Sequence, residues 1–274
     1  MNALMVKADI LFRTLKVALV VIFGFFLFGP LAGMVLWSFA IKWFWPHIIP
    51  QEFGVKYWAQ TFSGAVGIGG SLRNSILIAL TVVILALMIS VPAGYAFARF
   101  RFPYKRLLML SFLLPQAFPQ VPVFINVAQV FYNYNIAGTF QGVVLVHLVG
   151  AMVYAVWITT AAFKSVPVEL EEASVNIGAS RMKTFFSVTL PLAFPGLVAS
   201  SIFVFLYSLD EFTGTFFVGV PFIETLPLLM YTATMGYNMQ VSSITAVILL
   251  IPSIMFMIVV ERFLKAEYLS KLGI

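Results

Sequence analysis

The chain has 274 residues, of which 62% are hydrophobic and 9% charged, with sixteen basic and ten acidic side chains and a formal net charge of +6. An average soluble domain carries roughly a quarter charged residues, so this chain has too few to cover its apolar surface; a water-soluble globule is excluded and most of the solvent must be lipid. Zero cysteines exclude a disulfide framework, a thiolate metal site and a cysteine nucleophile, and two separated histidines, His47 and His147, give no metal cluster.

Uncharged stretches run from Val17 to Ile41, Asn74 to Ala98, Leu107 to Phe163, Thr184 to Leu209 and Thr225 to Val260, and a membrane-crossing helix needs about 20 residues. The 57-residue stretch from Leu107 to Phe163 is too long for one helix. Its middle, YNYNIAG at 132–138, carries the Asn and Gly of a turn and divides it. The polar segment TATMGYNMQ at 232–240 delays the start of the last helix. Six spans are predicted, at about 17–39, 73–98, 106–131, 140–163, 190–212 and 241–262. The expected fold is therefore all-α, a polytopic membrane protein with one transmembrane domain over 1–274.

The basic residues orient these spans. Lys7, Arg13 and Lys16 precede the first; Arg99, Arg101, Lys105 and Arg106 join the second and third; Lys164, Arg181 and Lys183 join the fourth and fifth; Arg262, Lys265 and Lys271 follow the sixth. Thirteen of the sixteen thus fall on one side, with only Lys42, Lys56 and Arg73 opposite. The positive-inside rule places both termini and the two basic loops in the cytoplasm. The net charge is then a topology signal, with no nucleic-acid partner implied. The first apolar run, 25 residues long, exceeds the roughly 7–15 of a signal peptide and reads as a retained span. In the outer loop that follows, WFWPHIIP with Trp43 and Trp45 reads as an aromatic anchor at the membrane interface.

The loop at 164–189 holds Glu169, Glu171 and Glu172 within four positions. Pro167 suits a first helical turn, because its missing N–H would be unbonded there, and the three carboxylates complement the positive end of the helix dipole. Leu170, Ala173, Ser174 and Ile177 follow at helical spacing as a short stripe of apolar and small residues, and Gly178 provides the stop. So short a helix cannot bury its own stripe, which must lie on the membrane, on the bundle or in a partner's groove.

Glu172-Ala173-Ser174, Gly178 four residues later, then Val188, Leu190 and Pro191 resemble the EAA loop of the permease subunits of bacterial ABC importers, in order, spacing and position before the penultimate span. GYAFARFRFPYKR at 94–106 and LPLAFPG at 190–196 extend the resemblance over most of residues 70–265. It implies a type I importer permease in a bacterial inner membrane, whose loop is a coupling helix seated in a cleft of a separate ATPase. Glu171, Glu172, Ala173, Ser174, Gly178, Ala179, Leu190 and Pro191 are then the candidate ATPase-coupling residues. Ser174 in place of a second alanine, and Ile177 where sugar-type members often carry an aspartate, depart from the pattern. The chain has no Gly-Lys pair and hence no phosphate loop of the Gly-x-x-x-x-Gly-Lys type. The resemblance therefore implies a non-catalytic subunit that binds no cofactor. ATP and magnesium would sit on two partner ATPase subunits, a second permease, a different chain, would complete the pore, and an external binding protein would deliver the solute.

Pro115, Pro119 and Pro122 break the third span, and broken helices are tolerated at membrane depth where they pack in protein or line a cavity. Asp210 and Glu211, in SLDEF, are the candidate substrate-path or gate residues. Each acid would cost about 2.5–3.5 kcal/mol at mid-span. A straight helix from Leu190 would carry Asp210 roughly 30 Å, to the far surface. The pair reads either as an outer cap or gate contact or as a cation-facing site. SLDEFTGTFFVG followed by TLPLLMY resembles the branch that imports polyamines, aminophosphonates and related solutes, with a carbohydrate (maltose-type) importer as the alternative. A stand-alone secondary transporter would call for inverted repeats and mid-span ionisable residues, and neither is evident.

Overall fold

The computed structural model describes residues 2–64 and 67–271, with side chains described for 11–64 and 67–259. The side chains of Lys7, Arg262, Lys265 and Lys271 lie outside the described residues. The chain divides into two compact units, one of residues 1–66 and 230–248 and one of residues 67–229 and 249–274. The first contains α1 (Asn2–Ser38), a two-stranded antiparallel hairpin of β1 (Ala40–Lys42) and β2 (Glu52–Phe53), and α2 (Lys56–Phe62). The second contains α3 (Ile68–Arg99), α4 (Lys105–Ser111), α5 (Leu114–Ala117), α6 (Gln120–Asn133), α7 (Phe140–Ser165), α8 (Val168–Asn176), α9 (Arg181–Thr184), a π turn (Phe185–Thr189), α10 (Leu190–Asp210) and α11 (Thr213–Val218). Helices α12 (Leu226–Met235) and α13 (Met239–Lys271) are divided between the units.

Among the described residues, five helical stretches are long and apolar enough to cross a membrane: Leu11–Ser38, Ile68–Arg99, Phe140–Ser165, Arg181–Asp210 and Met239–Val259. They coincide with five of the six predicted spans, and the fold is that of an all-α polytopic membrane protein. The sixth expected span, 106–131, is not one helix. Its residues form α4, α5 and α6, because Pro115 starts α5, Pro119 caps α6 and Phe118 between them is extended (φ −102°, ψ 150°). A proline removes an amide donor and pushes the residue before it out of the helical region.

Helices α3, α7 and α10 pack together as the core of the second unit. Ile78, Val82 and Ala86 from α3 meet Val143, Val144, Ala151 and Ala155 from α7 and Val204 from α10. Helix α7 is apolar all round and carries fourteen buried residues, as expected for a helix surrounded by others. Its partners approach closely at small residues. A Cβ on Gly94 would strike Thr159, one on Gly150 would overlap Tyr207, and one on Gly196 would overlap Ala162. In lipid, where apolar burial gives little net attraction, such close backbone packing is what holds helices together. Thr159 adds a polar tie, its Oγ1 donating to the carbonyl of Ser90 on α3 at 3.0 Å.

In the first unit the hairpin holds its shape through a stack of Trp37 on Trp43 (4.5 Å) and a bond from Trp43 Nε1 to the carbonyl of His47 at 2.9 Å. Lys42 and Glu52 pair at 3.2 Å across the strands. The turn residues Trp45 and Ile48 remain 94% and 89% exposed.

Candidate functional site

The predicted helix of the basic loop is present as α8. Pro167 precedes it with the extended dihedrals of a cap (φ −59°, ψ 131°), and Glu169 and Glu171 lie in the first turn. At the other end Gly178 adopts φ +95°. Its N–H donates to the carbonyl of Val175 at 2.9 Å, and the N–H of Ala179 donates to that of Ser174 at 3.1 Å. These are the two bonds of a Schellman motif, so glycine is required here for its backbone. No residue of α8 is buried. Leu170 is 45% exposed and Ile177 87%, so the predicted stripe is formed and left uncovered by the chain itself.

The candidate coupling residues divide into two groups. Glu172, Ala173 and Gly178 are exposed, Ser174 and Ala179 half-buried, and Pro191 exposed at the start of α10. Ser174 Oγ lies 3.0 Å from Thr184 Oγ1, which ties α8 to α9. Leu190 packs against a cluster that includes Phe163, Val166 and Leu197. Glu171 turns inward. Its carboxylate meets Arg99, the last residue of α3, with Nη2 to Oε1 at 2.8 Å, and the two side chains are 9% and 12% exposed. Arg99 Nε donates to the same oxygen at 2.9 Å, and so does Thr189 Oγ1, also at 2.9 Å. In the sequence, Arg99 registers only as one topology charge among several. Its partner stands 72 positions away, and no spacing rule joins the two.

Beneath α8 is a cavity of about 780 Å³, lined among others by Tyr95, Arg99, Glu171, Val175, Arg181 and Phe185. The π turn forms part of this region. It shifts the helical register between α9 and α10, a geometry common near functional sites.

At the far end of α10 the acidic pair is split. The helix ends at Asp210, two residues short of the predicted boundary, because Glu211 is extended (φ −71°, ψ 110°). Asp210 is exposed, whereas Glu211 is only 6% exposed. Glu211 Oε1 accepts the N–H of Gly214 at 2.8 Å, so the carboxylate caps the first turn of α11. The two acids therefore do not converge on one site.

His147 accounts for the neighbouring polar groups. Fully buried on α7, it lies 2.9 Å from Ser208 Oγ through Nδ1 and 2.8 Å from Thr215 Oγ1 through Nε2, joining α7 to both sides of the break after α10. Both ring nitrogens are thus engaged within the bundle. Glu224 is a residue the sequence did not single out. Its Oε2 accepts from Ser71 Oγ at 2.7 Å and its carbonyl from Asn74 Nδ2 at 2.9 Å, tying the loop after α11 to the start of α3.

Similarity to other proteins agrees with this architecture. An ABC transporter permease protein from Streptomyces antibioticus is 32% identical over 203 residues, covering 72% of this chain and 87% of its own. A trehalose transport system permease from Mycobacterium tuberculosis is 28% identical, covering 81% and 83%. A sulfoquinovosyl glycerol transport system permease from Agrobacterium fabrum is 28% identical, covering 70% and 68%. Among solved structures, a bacterial ABC transporter involved in import of the acidic polysaccharide alginate superposes with a TM-score of 0.71 at 17% identity, covering 94% of this chain and 98% of that one. Residues 90–266 match the inner membrane component of binding-protein-dependent transport systems, and the chain belongs to that family as an ABC importer permease.

Proposed function

We propose that this chain forms half of the translocation pathway of an ATP-driven importer for a small carbohydrate, with both termini and α8 on the cytoplasmic side. The observation that carries the coupling part is α8 itself. It is a preformed helix with no buried residue, closed by a glycine-dependent motif and presenting an uncovered stripe, and it stands where the family's loop motif falls. An ordinary amphipathic loop helix would be expected to lay that stripe on its own bundle. Glu172, Ala173, Ser174, Gly178 and Ala179 are the docking residues, and Leu190 and Pro191 lead from them into α10. Two ATPase subunits carry ATP and magnesium, a second permease closes the pore, and a binding protein delivers the solute.

The carbohydrate reading rests on the trehalose and sulfoquinovosyl glycerol relatives. The polyamine or aminophosphonate reading drew on the SLDEF segment. Its physical basis was an acidic pair able to meet a cation, and that is weakened by Glu211, which is buried and committed to Gly214. Asp210 remains as an exposed gate or path contact. The test is reconstitution of the permease with its ATPase, second permease and binding protein in proteoliposomes, followed by ATP-dependent uptake of labelled trehalose, maltose, spermidine and 2-aminoethylphosphonate. Uptake confined to the sugars is expected. Uptake of spermidine or the aminophosphonate alone would overturn the carbohydrate assignment, and failure of an ATPase to co-purify would overturn the coupling assignment.

A further inference from the structure

Helix α8 has little packing to hold it, since none of its nine residues is buried and an open pocket of about 780 Å³ lies beside it, and the Ser174–Thr184 contact ties it only to α9. What fastens it is a small set of polar contacts. Both Nε and Nη2 of Arg99 reach one oxygen of Glu171, and Nη2 also donates to the carbonyl of Val166 at 2.8 Å, in the link just before α8. Thr189, at the end of the π turn, donates to the same Glu171 oxygen. One carboxylate oxygen thus joins three elements: the coupling helix, the end of the second span and the start of the fifth. The pair is largely shielded from water, where losing one partner leaves an uncompensated charge and water screens little of the attraction.

We propose that Arg99 and Glu171 form the joint through which α8 moves as one body with α3 and α10, Arg99 acting as a positioning residue. This rests on the coupling role argued above for α8. Glu171 then works inside the permease, and the contact with the ATPase falls to the exposed residues around it. Docking energy applied to α8 reaches the spans through this carboxylate, because the cavity leaves little packing to carry it.

The chain has no cysteine, so Glu169→Cys on α8 and Ile84→Cys on α3 place two nitroxide labels on this subunit, both at exposed positions. Pulsed electron resonance on the assembled importer in nanodiscs then reads the distance between the two helices. A rigid joint gives one narrow distribution that is unchanged between the nucleotide-free and the ATP–vanadate-trapped states. Arg99→Ala is expected to broaden it by about twofold or more, as expected when a locally tethered element is released. Arg99→Lys, which keeps the charge but not the fork, gives an intermediate width and carries the test if the alanine variant does not assemble. The exchange Arg99→Glu with Glu171→Arg rebuilds the ion pair but not the bond to the Val166 carbonyl, so it is expected to narrow the distribution well below that of Arg99→Ala without reaching the wild-type width, which a general loss of stability would not do. A wild-type distance that changes by more than about 2 Å, the size of a helix shift at an interface, would overturn the proposal. So would an unchanged width in the Arg99 variants. The width comparison needs no ATPase, so it decides the joint separately from the docking reading, which co-purification decides.

Discussion

Replacing Gly178 by alanine adds a methyl group where nothing lies within 4 Å of it, so crowding plays no part. The cost is in the backbone, because φ is +95° and an L side chain in that region costs roughly 1–2 kcal/mol. Since α8 buries no residue, the cheapest relief is to unwind its last turn, giving up the bonds from Gly178 to Val175 and from Ala179 to Ser174. Relief stays local, so the thermal midpoint of the permease is expected to move by less than about 2 °C. A partner that reads the formed helix end must supply the missing energy, and at about 1.4 kcal/mol per tenfold its affinity falls roughly 5- to 30-fold. Gly178→Asn, whose side chain tolerates positive φ, is expected to lose less than about threefold. The assay is titration of the ATPase subunit onto wild-type and variant permease in nanodiscs, with thermal unfolding measured alongside. Wild-type affinity in the alanine variant would refute the claim that the ATPase reads this helix end. Equal weakening by alanine and asparagine would refute the backbone argument and point to bulk at the contact.

Four other outcomes follow from named contacts. Glu211→Ala removes the cap on Gly214 and should destabilise the permease by about 1–3 kcal/mol, whereas Asp210→Ala should leave the thermal midpoint unchanged; equal effects would show that the split of the pair is wrong. His147→Leu, although more apolar, leaves the Ser208 and Thr215 hydroxyls without their ring partner and should cost roughly 1–3 kcal/mol, read as a lower unfolding midpoint; no change would mean that those hydroxyls are satisfied elsewhere. Gly196→Ala should lower the yield of folded permease, and Ala162→Gly added to it should restore part of that yield, since the nearest obstructing atom is the Cβ of Ala162; no rescue would mean that the two helices do not approach at this pair. A nitroxide at Ile48→Cys should be reached by oxygen and shielded from a water-soluble nickel reagent, as expected for an aromatic turn at the lipid interface; full access to nickel would place the turn in water, and shielding that appears only with the binding protein would make it a protein contact.

What could be read in advance depended on how local its cause was. The spans at 140–163 and 73–98 rest on uninterrupted apolar runs, and the start and stop of α8 on Pro167, three glutamates and Gly178, all within a dozen residues. Each of those signals acts on its own neighbourhood, and each reappears in the structure. The contacts that could not be read in advance have distant causes. Glu171 reads in the sequence as one of three glutamates at a helix start and as a candidate coupling residue, and nothing local shows that its carboxylate meets Arg99, 72 residues away. Asp210 and Glu211 read as a pair because they are adjacent in SLDEF, at the far end of a straight helix counted from Leu190. No glycine or proline marks the break at Glu211; Ser208 before it and Thr215 after it are both held by His147 on α7, 61 and 68 positions away. The polyamine reading rests on the resemblance of SLDEFTGTFFVG and TLPLLMY to that branch, and it finds no support among the relatives, which include trehalose and sulfoquinovosyl glycerol permeases. Adjacent residues share a site only if the backbone keeps them on one face, and the extended ψ of 110° at Glu211 turns one carboxylate inward and leaves the other exposed.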